Sequence, residues 1–132
     1  MRFRTCTVLS VIAIVAVTVL EICRPAAADD RETCKTASGD VAIEACSRAI
    51  ASGKIKGRTL SLLYTNRGVE YFVKGEFDRA IADYDQAVKL NPKYAGAIYN
   101  RGLAKQKKGD MAGGEADIAA ARQLEPGVGQ SH

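Results

Sequence analysis

From Thr59 onward the apolar residues keep a period near 3.6, with Leu60, Leu63, Tyr64, Tyr71 and Phe72 on one helical face up to Lys74. Gly75 follows the last periodic residue, where a glycine closes a helix. The pattern resumes at Phe77 and runs to Leu90, with Ala80, Ile81, Tyr84, Ala87 and Val88 on one side. Asn91-Pro92 stops it, because proline pushes the residue before it out of helical geometry. The same pair of helices is then expected again, over about Lys93 to Lys108 and Met111 to Leu124, with a turn at Gly109-Asp110 and a stop at Glu125-Pro126. No segment alternates with the period of a strand.

The recurrence is in the residues as well as the pattern. Sliding the window Ser61 to Tyr94 along by 34 residues gives ten identities, among them Asn66/Asn100, Arg67/Arg101, Gly68/Gly102, Lys74/Lys108, Gly75/Gly109 and Pro92/Pro126. Ordinary composition gives about two. A shortened copy precedes both: Ala42 to Ile50 aligns with Ala80 to Val88, and Gly39-Asp40 stands where Gly75-Glu76 stands later. Its first helix is expected over roughly Arg31 to Ala37. The chain therefore reads as all-α, a short solenoid of antiparallel helical hairpins. Residues 29–57 form the shortened hairpin, residues 58–126 two full repeats (in register, 61–94 and 95–128), and residues 127–132 a loose tail.

The first 28 residues follow another logic. Arg2 and Arg4 lead into an uncharged run from Cys6 to Leu20, followed by Ala26, Ala27 and Ala28 before the acidic Asp29. A basic start, a 15-residue apolar run and a small-residue site match an export signal cleaved after Ala28. Periplasmic or secreted location is expected, and an uncleaved membrane anchor is the alternative, although the run is short of the roughly 20 residues of a span. Ile22 before Cys23 argues against lipidation, and Phe3 separates the arginines of a would-be twin-arginine signal.

From Asp29 the chain has 16 basic and 14 acidic residues, close to balance, so charge gives little reason to expect nucleic acid as a partner. Cys34 and Cys46 are the two cysteines left after Ala28. An even count in an oxidising compartment argues for a disulfide, and antiparallel helices about 8 to 10 Å apart bring two inward cysteines within its reach. With no C-x-x-C and His132 as the sole histidine, no metal site and no cofactor is expected.

The 34-residue period and the placing of small and large residues resemble the tetratricopeptide repeat. The motif's large aromatic, glycine and tyrosine fall on Tyr64, Gly68 and Tyr71, and its later alanine, aromatic, alanine and proline on Ala80, Tyr84, Ala87 and Pro92. The next copy keeps Gly102, Ala121 and Pro126 but departs at Ile98, Lys105, Gly114 and Ile118. The pair Gly113-Gly114 costs about 1 kcal/mol per glycine against alanine, so the last helix is expected to be the weakest and to fray at its start.

In that family the first helix of each hairpin lines a concave face that binds peptides or helices of other proteins. Carried over, the resemblance implies contacts from Leu62, Thr65, Asn66 and Val69 in one copy and Gly96, Tyr99, Asn100 and Leu103 in the next. Asn66 and Asn100 are the focus, since an amide offers two donors and an acceptor to a peptide backbone. The alternative for them is a structural role, and Arg67 and Arg101 are expected to pair with acids on adjacent helices. Thr65 and Val69 stand where the family's carboxylate clamp needs other residues, so that clamp is not expected. No nucleophile elbow, zinc-protease, phosphate-loop or dinucleotide fingerprint occurs, and Asp83 and Asp85 are two apart on a helix and face different ways. The reading is a monomeric, non-catalytic adaptor for an envelope protein. A self-associating module or a membrane-anchored assembly factor is the alternative.

Overall fold

The computed structural model describes residues 29–130. The expected signal and its cleavage point, and the last two residues of the tail, lie outside the described residues. Six helices follow one another: α1 (Asp30–Thr36), α2 (Gly39–Ala51), α3 (Gly57–Val73), α4 (Phe77–Leu90), α5 (Ala95–Lys108) and α6 (Met111–Leu124). Among the described residues there is no strand. Each helix packs on the one before it, and α1 and α5 also touch α3, so three hairpins stack in chain order.

The two full hairpins turn in the same way. At Gly75, φ 78°, the amide bonds to the Phe72 carbonyl and the next amide, Glu76, to that of Tyr71. Gly109, φ 103°, repeats this 34 residues on, with bonds to Gln106 and Lys105. This left-handed closure satisfies the last carbonyls of a helix and strains any residue with a Cβ. The helix starts differ in two places from the sequence reading. α5 begins at Ala95, two residues late, because residues 91–94 form a turn closed by the Tyr94 amide on the Asn91 carbonyl. α3 begins early, at Gly57.

The core is built of small residues and few large ones. In the first hairpin Cys34, Ala45, Cys46 and Ala49 meet Leu63 of α3, with Ile50 and Ile55 alongside. Cys34 and Cys46 form the expected disulfide. Cys34 is the one buried residue of α1, so that bond is the helix's buried attachment, with the exposed Arg48–Asp30 pair beside it. Around α4, Ala80, Tyr84 and Ala104 are enclosed by Val69, Tyr71, Phe72 and Ile81.

The glycines of α6 have positions that explain them. A Cβ on Gly102 would lie 2.8 Å from the Gly114 carbonyl, and one on Gly114 2.6 Å from the Gly102 carbonyl. The backbones of α5 and α6 cross at this point, and no side chain fits between them. Gly113 donates its amide to Asp110 Oδ1 at 2.9 Å, which caps the helix. The pair is thus more than the propensity cost read from the sequence: one glycine makes the crossing and the other sits under the cap.

Two outcomes are expected in urea unfolding. Gly114→Ala destabilises by about 1–3 kcal/mol despite alanine's better helix propensity, because the crossing must open. The double variant Cys34→Ala/Cys46→Ala loses about 3 kcal/mol, and amide exchange shows α1 unprotected while α3 to α6 keep their protection.

Candidate functional site

The arginines next to the two asparagines are bound into the fold. Arg67 makes a two-pronged pair with Asp83 of α4, Nε to Oδ2 at 2.8 Å and Nη2 to Oδ1 at 2.7 Å, and its Nη1 donates to Ser47 Oγ of α2 at 2.9 Å. Arg101 does the same one repeat later, pairing with Asp117 of α6 at 2.7 Å twice and donating to Asp85 of α4 at 2.8 Å. Each arginine therefore ties its own partner helix to the preceding hairpin. Tyr64 and Tyr71 flank the Arg67 guanidinium, 5.6 and 5.9 Å from it to the ring centres. Lys105 adds a second cation to Asp117 at 2.8 Å. Burial pushes the Asp117 carboxyl up, but hydrogen bonds from Arg101 and Lys105 outweigh it and hold the carboxyl below the usual range.

With the arginines occupied, two clefts lie along the first-helix side. One cleft of about 410 Å³ runs between α1 and α3, lined by Arg31, Lys35, Thr59, Leu62, Leu63 and Asn66. A smaller one, about 80 Å³, lies between α3 and α5, lined by Val69, Phe72, Tyr84, Asn100 and Leu103. The structure thus gathers Leu62 with Asn66 and Val69 with Asn100 and Leu103, placing the asparagines in successive clefts rather than one pocket. Both amides are half-buried, and neither makes a side-chain hydrogen bond among the described residues. A half-buried polar group without a protein partner meets water or a ligand.

Two expected contact residues are placed differently. Thr65 is buried, 4% exposed, and donates to the Ser61 carbonyl of its own helix at 2.9 Å. Tyr94 lies beside it, its phenol pushed up by burial and drawn back by the Thr65 hydroxyl. Thr65 offers no surface to a partner, which corrects the sequence reading: Tyr94, just before α5, packs where that side chain points. Tyr99 is half-buried, and the turn after α6 folds back on it. Gly129 sits so close to the Tyr99 ring that a Cβ there would collide with it. Gly96 faces the ring of Tyr94. Sequence reasoning missed Lys35 and Arg31, which form the α1 wall of the larger cleft. The signal was available only through the disulfide, which sets where α1 lies.

Asp117→Asn is expected to lower stability by about 2 kcal/mol at neutral pH, since Arg101 is left with a poorer partner in a mostly buried place. The carboxyl's folded value is depressed, so its contribution is present above the unfolded value near 4 and is lost as pH falls through the folded one. The variant's stability therefore falls less steeply in acid, as measured by chemical unfolding at stepped pH.

Comparison with known proteins gives the arrangement a family. Residues 68–109 match the family model described as TPR repeat. The chain is also similar to the photosystem I assembly protein Ycf3 of Synechococcus sp. (strain WH7803), 39% identical over 57 residues, which are 43% of this chain and 31% of that protein. The chain thus matches about a third of that relative's length. The 34-residue recurrence, the paired helices and the repeated arginine clamp agree with that match, and residues 68–109 carry a tetratricopeptide repeat.

Proposed function

We propose that this chain is an exported adaptor that binds a peptide or helix of another envelope protein along the clefts between its first helices, and performs no chemistry of its own. Stacked helical hairpins present extended concave surfaces suited to such ligands. The observation that carries the reading is the pair of unpartnered amides, Asn66 and Asn100, in successive clefts floored by Leu62, Leu63, Val69 and Leu103. An extended or helical segment laid across both would exchange backbone hydrogen bonds with the amides and bury apolar side chains on the leucines.

Export rests on the sequence: Arg2 and Arg4, the uncharged run Cys6 to Leu20, and the alanines before Asp29. The disulfide suits an oxidising compartment. Exposed large apolar residues are scattered, Val41, Leu62, Val73, Leu90, Met111 and Leu124, as on ordinary monomers. We take the working form to be a monomer. The similar protein is named as a photosystem I assembly protein, and holding a partner during assembly is the class of task we infer for this chain too.

A crosslinking pull-down from envelope extracts tests the site. Against wild type, Asn66→Ala/Asn100→Ala is expected to keep its helicity and lose about tenfold in capture of a specific partner, the effect of roughly one to two lost hydrogen bonds. Equal capture by both proteins would show that the clefts are not the binding surface. Sedimentation across a hundredfold range of concentration is expected to show one species of monomer mass.

A further inference from the structure

The up-down order of the helices gathers the starts of α1, α3 and α5 and the ends of α2, α4 and α6 at one end of the stack. The links 52–56 and 91–94 and the turn after α6 lie there too. A recess lined by Arg58, Asn91, Lys93, Tyr94 and Glu125 shows that these pieces adjoin. This end carries six exposed cations, Lys54, Lys56, Arg58, Lys89, Lys93 and Arg122. None of them has an ion-pair partner among the described residues. Of the acids nearby, Asp29 is engaged by Arg31 and Asp30 by Arg48, which leaves Glu125. At the opposite end, with the intra-hairpin turns, Lys74 pairs with Asp40, Arg79 with Glu76 and Lys108 with Asp78, and among the described residues Lys107 alone of the cations in the last turns of α3 and α5 has no ion-pair partner.

Helix fields explain only part of the asymmetry. Lys89 and Arg122 lie in last turns, where a cation is favourable. Lys54, Lys56, Arg58 and Lys93 do not: they precede or open α3 and α5, where the field opposes a cation, and the first turn of neither helix holds an acid. The fold gains nothing from them there. Two leucines, Leu90 at 37% and Leu124 at 46%, stand exposed at the same end beside Lys89 and the last turn of α6. Cations mixed with exposed apolar side chains suit the boundary of a lipid bilayer.

We propose that this end of the stack docks on an anionic bilayer surface. The cations are spread over links and helix ends of three successive hairpins rather than converging on one pocket, which matches a sheet of headgroup charge better than a compact acidic protein. The chain also enters the described structure at this end, at Asp29, nine residues after the uncharged run that closes at Leu20. Were residues 1–28 to stay attached as an anchor, the basic end would be the one beside the membrane. Without them the contact is reversible, each basic residue near an anionic leaflet contributing about fivefold to binding. In either case the clefts between α1, α3 and α5 stand sideways to the membrane and stay open.

The test is lysine acylation of the full chain in liposomes, read by mass spectrometry. Vesicles of phosphatidylcholine are compared with vesicles that also contain phosphatidylglycerol at about a third of the lipid, enough to set an anionic surface potential. Labelling of Lys54, Lys56 and Lys93 is expected to fall about threefold or more with the anionic lipid and to recover in about 0.5 M salt, which screens such contacts. Lys107, near the opposite end, is expected not to change. Equal labelling in the two vesicle types, or protection of Lys107 to the same degree, overturns the proposal. Protection by soluble polyglutamate where phosphatidylglycerol gives none assigns the end to an acidic protein and overturns it as well. Lys54→Glu/Lys56→Glu/Arg58→Glu/Lys93→Glu, with helicity checked, is expected to lose the lipid-dependent protection of Lys89; the wild-type comparison decides alone where that variant misfolds.

Discussion

The stack depends on an arginine that reaches in two directions. Arg67 and Arg101 each hold an aspartate of their own hairpin with two hydrogen bonds and a polar group of the preceding hairpin with a third. A planar guanidinium has its donors in a rigid fork, so satisfying both acceptors sets the angle between hairpins as well as the spacing within one. Partly buried ion pairs bring modest net stability because both charges are desolvated. Their consequence here is register. Sliding one hairpin by a turn would leave a guanidinium and a carboxylate unpaired in the interior.

A second tie repeats alongside the first. Lys74 at the end of α3 pairs with Asp40 at the start of α2, and Lys108 at the end of α5 pairs with Asp78 at the start of α4. The matching acceptor positions on α6 are Ala112 and Ala119, in place of Asp78 and Asp85. A further hairpin of the same kind would find no acceptor there. Between the ties the helices come close because the residues are small: Gly68 lies against the Tyr84 ring, and Gly102 crosses Gly114 backbone to backbone. Where no large side chain spans the gap, as between α1 and α2, the disulfide supplies the attachment.

This division of labour leaves the first-helix side free for function. The arginines, the buried Thr65 and the core tyrosine Tyr84 are committed to the fold, while Asn66, Asn100, Leu62 and Leu103 are not. A surface of uncommitted amides and leucines over a register fixed from behind suits an adaptor, since a partner meets a preformed arrangement and little ordering is left to offset its binding.

The sequence by itself determined the helices and their count, because apolar period, glycine closure and proline stops are local properties written within a few residues of each boundary. The 34-residue identity determined that the hairpins are copies, and the resemblance to the repeat family singled out Asn66, Leu62, Val69, Asn100 and Leu103 on the first helices. It also marked Arg67 and Arg101 as partners for acids, without saying which. Tertiary structure decided the rest. That Thr65 is buried, that Gly114 marks a backbone crossing, that the turn after α6 lies on Tyr99, and that the asparagines occupy separate clefts all depend on what packs from another part of the stack. So does the gathering of Lys54, Lys56, Arg58, Lys89, Lys93 and Arg122 at one end, since residues far apart in the chain meet only when antiparallel helices bring their ends together.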